Sequence, residues 1–424
     1  MKILFVSQYY PPESNAPANR VSEMAKEWVR IGHEVTVLTT FPNHPEGKIY
    51  PGHKNGRPQV EERDGVRVVR VPVYIAANKG ILRRSLAYLS FSISAAIFGT
   101  YRIERPDVVI ATSPQLLVGV AGAWLSARFR RPFVLEIRDL WPDSIVAVGA
   151  LREGHPALRM LRRIEHWLYR RADAVAVVTE TFKEILQQRG VTPERIAFLP
   201  NGVDDELFHP RELPNDPTGE NDPHPGKFVV TFAGTIGMAH GLKTVLEAAE
   251  LLKDDPVVQF LVVGDGAERA QLEAKVAEMR LTNVQFKGRV PRSAVAGILR
   301  RTDASLVMLR PSPVFETVLP SKMFEAMGTA TPILLGVDGE ARRLLERADA
   351  GIHFPPGDAR ALVVAIQRLR NDRDETARLG KNGLAYTLAN YERRRIAAGY
   401  EGLLREIASP TEQHTPTNVV VGGG

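Results

Sequence analysis

The chain contains no cysteine, which excludes disulfide frameworks and thiolate metal sites. Its ten histidines are scattered and never take the spacing of a metal-ligand motif, so no metal site is expected. No apolar run reaches the ~18 residues needed to span a bilayer. The start, MKILFVSQYYPPES, is too short an apolar stretch for a signal peptide and reads as a first strand. Zinc-finger, KH and RRM signatures are missing, which argues against nucleic acid as a partner. What remains is the composition of a soluble globular protein: 424 residues, 44% apolar and 25% charged, enough for two or three domains.

The net charge of +6 is unevenly placed. Residues 1–208 hold 28 Lys and Arg against 22 Asp and Glu, whereas the remainder is balanced. Within 79–171 the excess rises to 15 against 7. A basic first half suits an anionic partner, such as a membrane surface or a lipid phosphate; a merely solvated basic surface is the alternative. The most apolar stretch, Leu86–Tyr101, is flanked by Arg83, Arg84, Arg102 and Arg105. It reads either as a buried core helix or as a membrane-dipping helix with snorkelling arginines.

Short β-rich runs alternate with helical periodicity along the chain. Ile3–Ser7, Glu34–Thr40, Val66–Val73, Asp107–Thr112, Phe133–Ile137 and Ala174–Val178 are strand-like, with helices such as Gln115–Phe129 and Ala157–Arg171 between them. This rhythm predicts α/β domains with parallel sheets. Pro210–Lys227 breaks it with Pro, Asp, Asn and Gly, as a linker does. A second α/β unit follows, with strands at Phe228–Ala233, Val258–Val263, Val284–Lys287, Ala304–Leu309 and Ile333–Gly336. The expected boundaries are 1–208, a linker over 209–227, 228–390, a helix at 391–408 returning to the first domain, and a disordered tail at 409–424. Two doubly wound domains facing a cleft place ligands beyond the carboxyl ends of the strands.

Four motifs fall at such strand ends. Ala233–Gly241, AGTIGMAHG, follows a strand and precedes a helix, and Gly234 and Gly237 let backbone N–H groups approach an anion. Val263–Gly266, VGDG, closes the next strand, and Arg289 follows the one after it. Pro313–Pro332, PVFETVLPSKMFEAMGTATP, places Glu316 in a loop and Pro320–Ser321 at a helix start. Ser321 is expected to cap that helix. Lys322 beside its first turn suits a phosphate, and Glu325 one turn further suits the hydroxyls of a sugar. An ordinary surface helix with two solvated carboxylates is the alternative for that segment. The glycine-rich turn matches neither GxxxxGK[ST] nor GxGxxG, which disfavours a P-loop NTPase or a standard dinucleotide dehydrogenase.

Taken in order, NGVD before the linker, AGTIG, VGDG and PSKMFEAMGTATPIL resemble the retaining glycosyltransferases of family four, which have the GT-B fold. The resemblance runs from Met1 to about Ile407. The opening ILFVSQYYPPES and the block EIRDLWPDS (Glu136–Ser144) are most similar to the branch that builds bacterial O-antigen, capsule and exopolysaccharide, and within it to N-acetylfucosaminyl transferases. The resemblance implies a cytoplasmic enzyme at the inner face of the cell membrane. It would move an N-acetylated hexosamine or deoxyhexosamine from a UDP-sugar to a lipid-linked glycan, touching anionic membrane peripherally, with no cofactor.

It also implies roles. Glu325 would hold the ribose, the Arg289–Val290 backbone the base, and Ser321 with Lys322 the diphosphate or sugar. Glu316 would match the first carboxylate of the family's E-x7-E signature, although eight residues separate it from Glu325 and strict spacing falls on Thr317. Thr235 and His240 stand where the family often has Arg and Lys, so Lys322, the Gly234–Gly237 backbone and His240 would meet the diphosphate. Ser14, Asn15 and Ala16 lie in the acceptor-side loop after strand one, where the family has glycines. Arg138 occupies the place of a frequent cleft histidine, with Asp139 beside it. Arg138 orients oxygens but does not act as a base, because a guanidinium stays protonated. Retention in this family is thought to need no protein nucleophile: the departing phosphate takes the acceptor proton, without a metal. A UDP-sugar 2-epimerase and a non-enzymatic nucleotide-sugar or nucleic-acid binding protein remain the competing readings.

Overall fold

The computed structural model describes residues 1–13, 15–44, 46–76, 81–113, 115–147, 151–210 and 224–409. Ser14, most of the expected linker and nearly all of the expected tail lie outside the described residues. The chain divides into two compact units, at Asn201/Gly202 and again at Glu392/Arg393.

The first unit carries strands β1 (Lys2–Val6), β2 (Glu34–Thr40), β3 (Gln59–Arg63), β4 (Val66–Val71), β5 (Val108–Thr112), β6 (Phe133–Ile137), β7 (Ala174–Val177) and β8 (Ile196–Phe198). They form one sheet in the order β3-β4-β2-β1-β5-β6-β7-β8. Every pair is parallel except β3 with β4. The central strands β5 and β6 read VVIAT and FVLEI and are buried throughout, as strands covered on both faces must be. Between the strands run α1 (Ala16–Arg30), α2 (Ile81–Arg102), α3 (Leu116–Phe129), α4 (Asp143–Ala147), α5 (Pro156–Arg171) and α6 (Glu180–Gln188). Pairing turns from β2 on one side of β1 to β5 on the other, so right-handed crossovers put α2, α3 and α5 on the face opposite α1.

α1 starts at Asn15, whose side chain accepts from the Ala18 N–H. Its inner face joins the core through Trp28, which packs on Phe5 and, edge-on, on Tyr400. Tyr400 belongs to the last helix among the described residues, over Arg393–Ala408, which is part of the first unit. The Trp28 indole N–H donates to the Ala397 carbonyl at 3.0 Å. α2 is neither wholly buried nor wholly free: Ala87, Phe91 and Ala95 face the core, while Leu86, Leu89, Ile93 and Ile97 are exposed. Among the described residues no helix is long and apolar enough to cross a membrane.

The second unit holds β9 (Phe228–Ala233), β10 (Val258–Val263), β11 (Val284–Gly288), β12 (Ala304–Met308), β13 (Ile333–Gly336) and β14 (Gly351–His353). Their order is β11-β10-β9-β12-β13-β14, all pairs parallel. Helices α7 (Lys243–Leu251), α8 (Arg269–Glu278), α9 (Arg292–Leu299), α10 (Ser321–Gly328), α11 (Glu340–Ala348), α12 (Ala359–Asn371) and α13 (Arg373–Asn390) complete it; the Arg393–Ala408 helix is then α14. The switch point lies between β9 and β12, and the segments after both carry the sequence motifs. Residues 202–208, grouped with the first domain by sequence, pack here instead: Val203 and Phe208 join the core around Phe324 and Met327. A Cβ on Gly328 would come within 2.6 Å of Val203 and 2.8 Å of the Phe208 carbonyl, so the glycine admits that segment against α10.

Candidate functional site

In the second unit, three strand ends are stitched together by backbone. The Gly234 N–H donates to the Val263 carbonyl and the Gly264 N–H to the Gly288 carbonyl, both at 2.8 Å. Gly234 has φ +146° and Gly264 φ +138°, values that side chains disfavour. A Cβ on Gly264 would sit 1.8 Å from the Gly234 carbonyl oxygen, so the two turns touch because residue 264 is glycine. The Arg289 and Val290 positions follow directly; Arg289 is exposed, and Val290 packs on Val229, Leu261 and Val263.

Lys322 lies across this cradle. A Cβ on Gly234 would meet its Cε at 2.5 Å and its Nζ at 2.7 Å, and Nζ stands 3.8 Å from the centre of the Phe232 ring. The ammonium is buried and makes no hydrogen bond. Burial drives its pKa down to about 7, with Glu325 opposing the shift. His240 joins the same pocket edge-on to Phe232, and its Nδ1–H donates to the Met308 carbonyl at 3.3 Å. Burial, and then the Lys322 charge, lowers His240 to about 3, so it is a neutral imidazole at physiological pH. A buried polar atom without a partner costs roughly 1–3 kcal/mol, and more when charged. Cations held this way are candidates for function.

Glu325 lies one turn along α10 from Lys322, with Arg292 at 3.5 Å; Arg292 also lies over the Phe208 ring. Ser321 differs from expectation. It is the first helical residue, exposed, and the cap position is Pro320, with no side-chain cap bond. The chain enters the helix one residue earlier than a serine cap requires, so no side chain covers the first N–H groups. Glu316 sits in a 3₁₀ turn, Phe315–Thr317, with an exposed side chain. Its backbone abuts Gly339, where an added Cβ would lie 2.1 Å from the Glu316 carbonyl. The structure thus gathers Gly234, Lys322, His240 and Glu325, keeps Thr235 and Gly237 in the same loop, and sets Glu316 against the start of α11. Sequence reasoning missed Phe232 and Arg292; an aromatic one residue before the glycine turn was the available signal for the first.

In the first unit, Arg138 ends β6. Its backbone N–H donates to the Ser113 hydroxyl at 2.7 Å and its Nη2 to the Ala16 carbonyl at 3.3 Å, which brings the ends of β5 and β6 to the start of α1. Its Nε and Nη1 are buried without partners, and no ion pair joins it to Asp139 among the described residues. Burial lowers the Arg138 pKa to about 10, still positive at neutral pH. Burial also raises the Asp139 carboxyl to about 6. Asn15 spends its carbonyl on the α1 cap and approaches His44 Nδ1 at 3.5 Å.

Two residues overlooked in the sequence act on Arg138, Glu136 by attraction and Arg20 by repulsion. Glu136, inside β6, is wholly buried, accepts from Thr112 at 2.7 Å and pairs with Arg20 at 3.1 Å. Burial alone would raise its carboxyl, but Arg20 and Arg138 hold it below the usual range. A carboxylate in the middle of an apolar strand was the legible signal. Among the described residues no group of acidic residues and histidines is placed to hold a metal ion.

Residues 15–202 match the family described as glycosyl transferase 4-like domain, and residues 219–386 match glycosyl transferases group 1. The glycosyl transferase WcaI of Escherichia coli K12, whose name assigns it to colanic acid biosynthesis, is 27% identical over 376 residues, covering 87% of this chain and 92% of that protein. Sucrose-phosphate synthase of Thermosynechococcus elongatus is similar in structure, with a TM-score of 0.73 and 21% identity over 96% of this chain and 98% of its own. Anabaena HepE, solved with UDP and glucose, gives 0.69 and 19% over 96% and 99%.

Proposed function

From a chain that carries a glycosyl transferase 4-like domain followed by a glycosyl transferases group 1 domain on the GT-B fold, and so belongs to the glycosyltransferases, we propose a retaining transferase of bacterial surface polysaccharide synthesis. It moves a sugar from UDP to a lipid-linked glycan at the inner face of the cell membrane. The observation that carries this reading is the Lys322 ammonium, buried and unpartnered against Gly234 beside a helix start with no side-chain cap. A diphosphate leaving group needs fixed positive charge and oriented donors, and a buried, unpaired cation on a glycine cradle is suited to an anion that arrives from outside.

In this reading Lys322 and the N–H groups of the Gly234–Gly237 loop receive the diphosphate, without a metal. Neutral His240 and Thr235 line the loop as hydrogen-bonding groups. Glu325, steadied by Arg292, accepts from the ribose hydroxyls, and the Arg289–Val290 backbone meets the base. Ser321 and the exposed Glu316 face the donor sugar, an N-acetylated hexosamine or deoxyhexosamine of the N-acetylfucosamine type. Arg138, Asp139, Asn15 and Ala16 serve the acceptor side, Arg138 through its free N–H groups. The bond from the anomeric carbon to the phosphate oxygen breaks as the acceptor oxygen adds on the same face, and the phosphate oxygen takes the acceptor proton. HepE, solved with UDP and glucose, and WcaI, named for colanic acid biosynthesis, support the donor and the pathway class.

Ligand-observed NMR against UDP, GDP, dTDP, NAD and UDP-N-acetyl sugars tests this. The expected result is saturation transfer to UDP and its sugars, lost in Glu325→Ala. Binding of NAD alone, or of no nucleotide, overturns the reading. Isomerisation of a UDP-sugar without acceptor would make the protein an epimerase.

A further inference from the structure

A sugar diphosphate brings two negative charges to its site. It gains a third as the sugar departs, because the electron pair of the broken bond stays on the phosphate oxygen until the acceptor proton reaches it. Fixed positive charge is what steadies such a group. The glycine loop after β9 supplies little of it. Thr235 is uncharged. His240 is a neutral imidazole, lowered to about 3 by burial and then by Lys322. Lys322, itself lowered to about 7 by burial, is only partly protonated at neutral pH. Together these groups supply at most one cation.

The other basic residues nearby differ in what they already hold. Lys243 and Arg269 pair with Glu247 and Glu273 on their own helices, and Arg292 pairs with Glu325. Arg289 follows β11, two strands away from β9. Arg310 is unlike all of these. It lies just beyond β12, the strand next to β9. Its side chain is exposed, and among the described residues nothing hydrogen-bonds or pairs with its guanidinium.

The backbone of Arg310 is nevertheless fixed to the glycine loop. Its N–H donates to the Ala239 carbonyl at 2.8 Å, and His240 meets the Met308 carbonyl, two residues earlier, at 3.3 Å. The side-chain stem passes Gly241, where an added Cβ would come within 3.0 Å of the Arg310 Cγ. Gly241 has φ +62°, so glycine both turns the loop and leaves room for the arginine. Lys322 thus lies against the first glycine of the loop and Arg310 against the last.

We infer that Arg310 is the second cation of the diphosphate site, a catalytic residue that donates to phosphate oxygens from the β12 side of the glycine loop. The inference rests on the proposed function and adds to it the charge that Thr235 and His240 do not carry. A guanidinium presents several N–H groups in one plane and bridges two phosphate oxygens. Arg310 therefore holds the diphosphate in the ground state and meets the charge left on the phosphate oxygen as the anomeric bond breaks.

Calorimetric titration of the full chain with UDP, beside ligand-observed NMR of uridine as the phosphate-free probe, tests it. The wild type should bind UDP more tightly than uridine. Arg310→Gln should weaken UDP about tenfold or more, as loss of a charge-assisted contact does. Its uridine signal and thermal midpoint should stay at the wild-type values. Arg310→Lys should recover part of the loss, since a point charge remains without the planar fork. Unchanged UDP affinity in Arg310→Gln overturns the inference and leaves the donor reading standing. Equal weakening of UDP and uridine also overturns it, because the residue would then shape the loop and not meet phosphate. If the wild type binds no UDP, the donor reading falls and the inference falls with it.

Discussion

Arg70 and Lys322 are both cations taken out of water, and their surroundings are opposite. Arg70 is fully buried in β4, and all three of its nitrogens donate: Nε and Nη2 to Glu61, Nη1 to the Thr40 carbonyl and Nη2 to the Pro11 carbonyl. It ties the loop after β1 and the end of β2 to the middle of β3 and leaves nothing for a ligand. Lys322 is flanked by glycine backbone and an aromatic face, and its ammonium donates to nothing. Burial accompanied by full hydrogen bonding reads as structure, and burial without it reads as a site waiting for charge. Arg20 and Arg138 repeat the contrast within one cluster: Arg20 is spent on Glu136, Leu199 and Pro200, while Arg138 keeps two nitrogens free.

The sharpest way to break the contrast is Lys322→Ala. Turnover should fall about 10²–10³-fold, as when one charge-stabilising donor is lost, with the thermal midpoint within a few degrees of the wild type. Full activity in that variant would remove Lys322 from the chemistry. Arg70→Ala should do the converse. Denaturant unfolding should show a loss of about 3 kcal/mol, because Glu61 and two carbonyls lose their donor, while the folded fraction binds UDP with unchanged affinity. A weakened UDP affinity in the folded fraction would show that the two cations are not separable in role.

The smallest effect is in pH. Lys322 titrates near 7 in the fold and near 10.4 in an unfolded chain. Between those values the unfolded chain holds the extra proton, so this group's contribution to stability rises with pH across that window. Diphosphate binding needs the charged form, so UDP affinity should fall by about tenfold for each pH unit above 7. Calorimetry in buffers of different ionisation enthalpy should show proton uptake on binding, and a slope that survives in Lys322→Met would assign it to another group.

Much of the fold was legible. The parallel strands announced themselves as apolar runs such as VVIAT and FVVTFA, and the βαβ rhythm implied two doubly wound domains, while the order of the strands within each sheet came from the structure. The short edge strands β3, β8 and β14 were missed because QVEER, IAF and GIH carry too little apolar pattern to stand out. Ser321 was placed at the cap by residue type, but Pro320 took that position, since proline's fixed φ sets where the chain turns into the helix. The motif glycines at 234 and 264 were visible, yet their contact with each other was not, because it arises between strands far apart in sequence.

The sequence alone determined the alternation of strand and helix, the glycine turns, the basic excess of residues 79–171, and the order of motifs that identifies a glycosyltransferase. These are local properties, set by periodicity, backbone sterics and composition. Tertiary structure decided which charges are spent and which are free. Glu136 and Arg20 cancel one another, Arg138 and Lys322 do not, and Leu86–Tyr101 is half core and half surface. Partnering and burial depend on which distant strand ends and helix faces the sheets bring together, and no window of the sequence contains both members of those contacts.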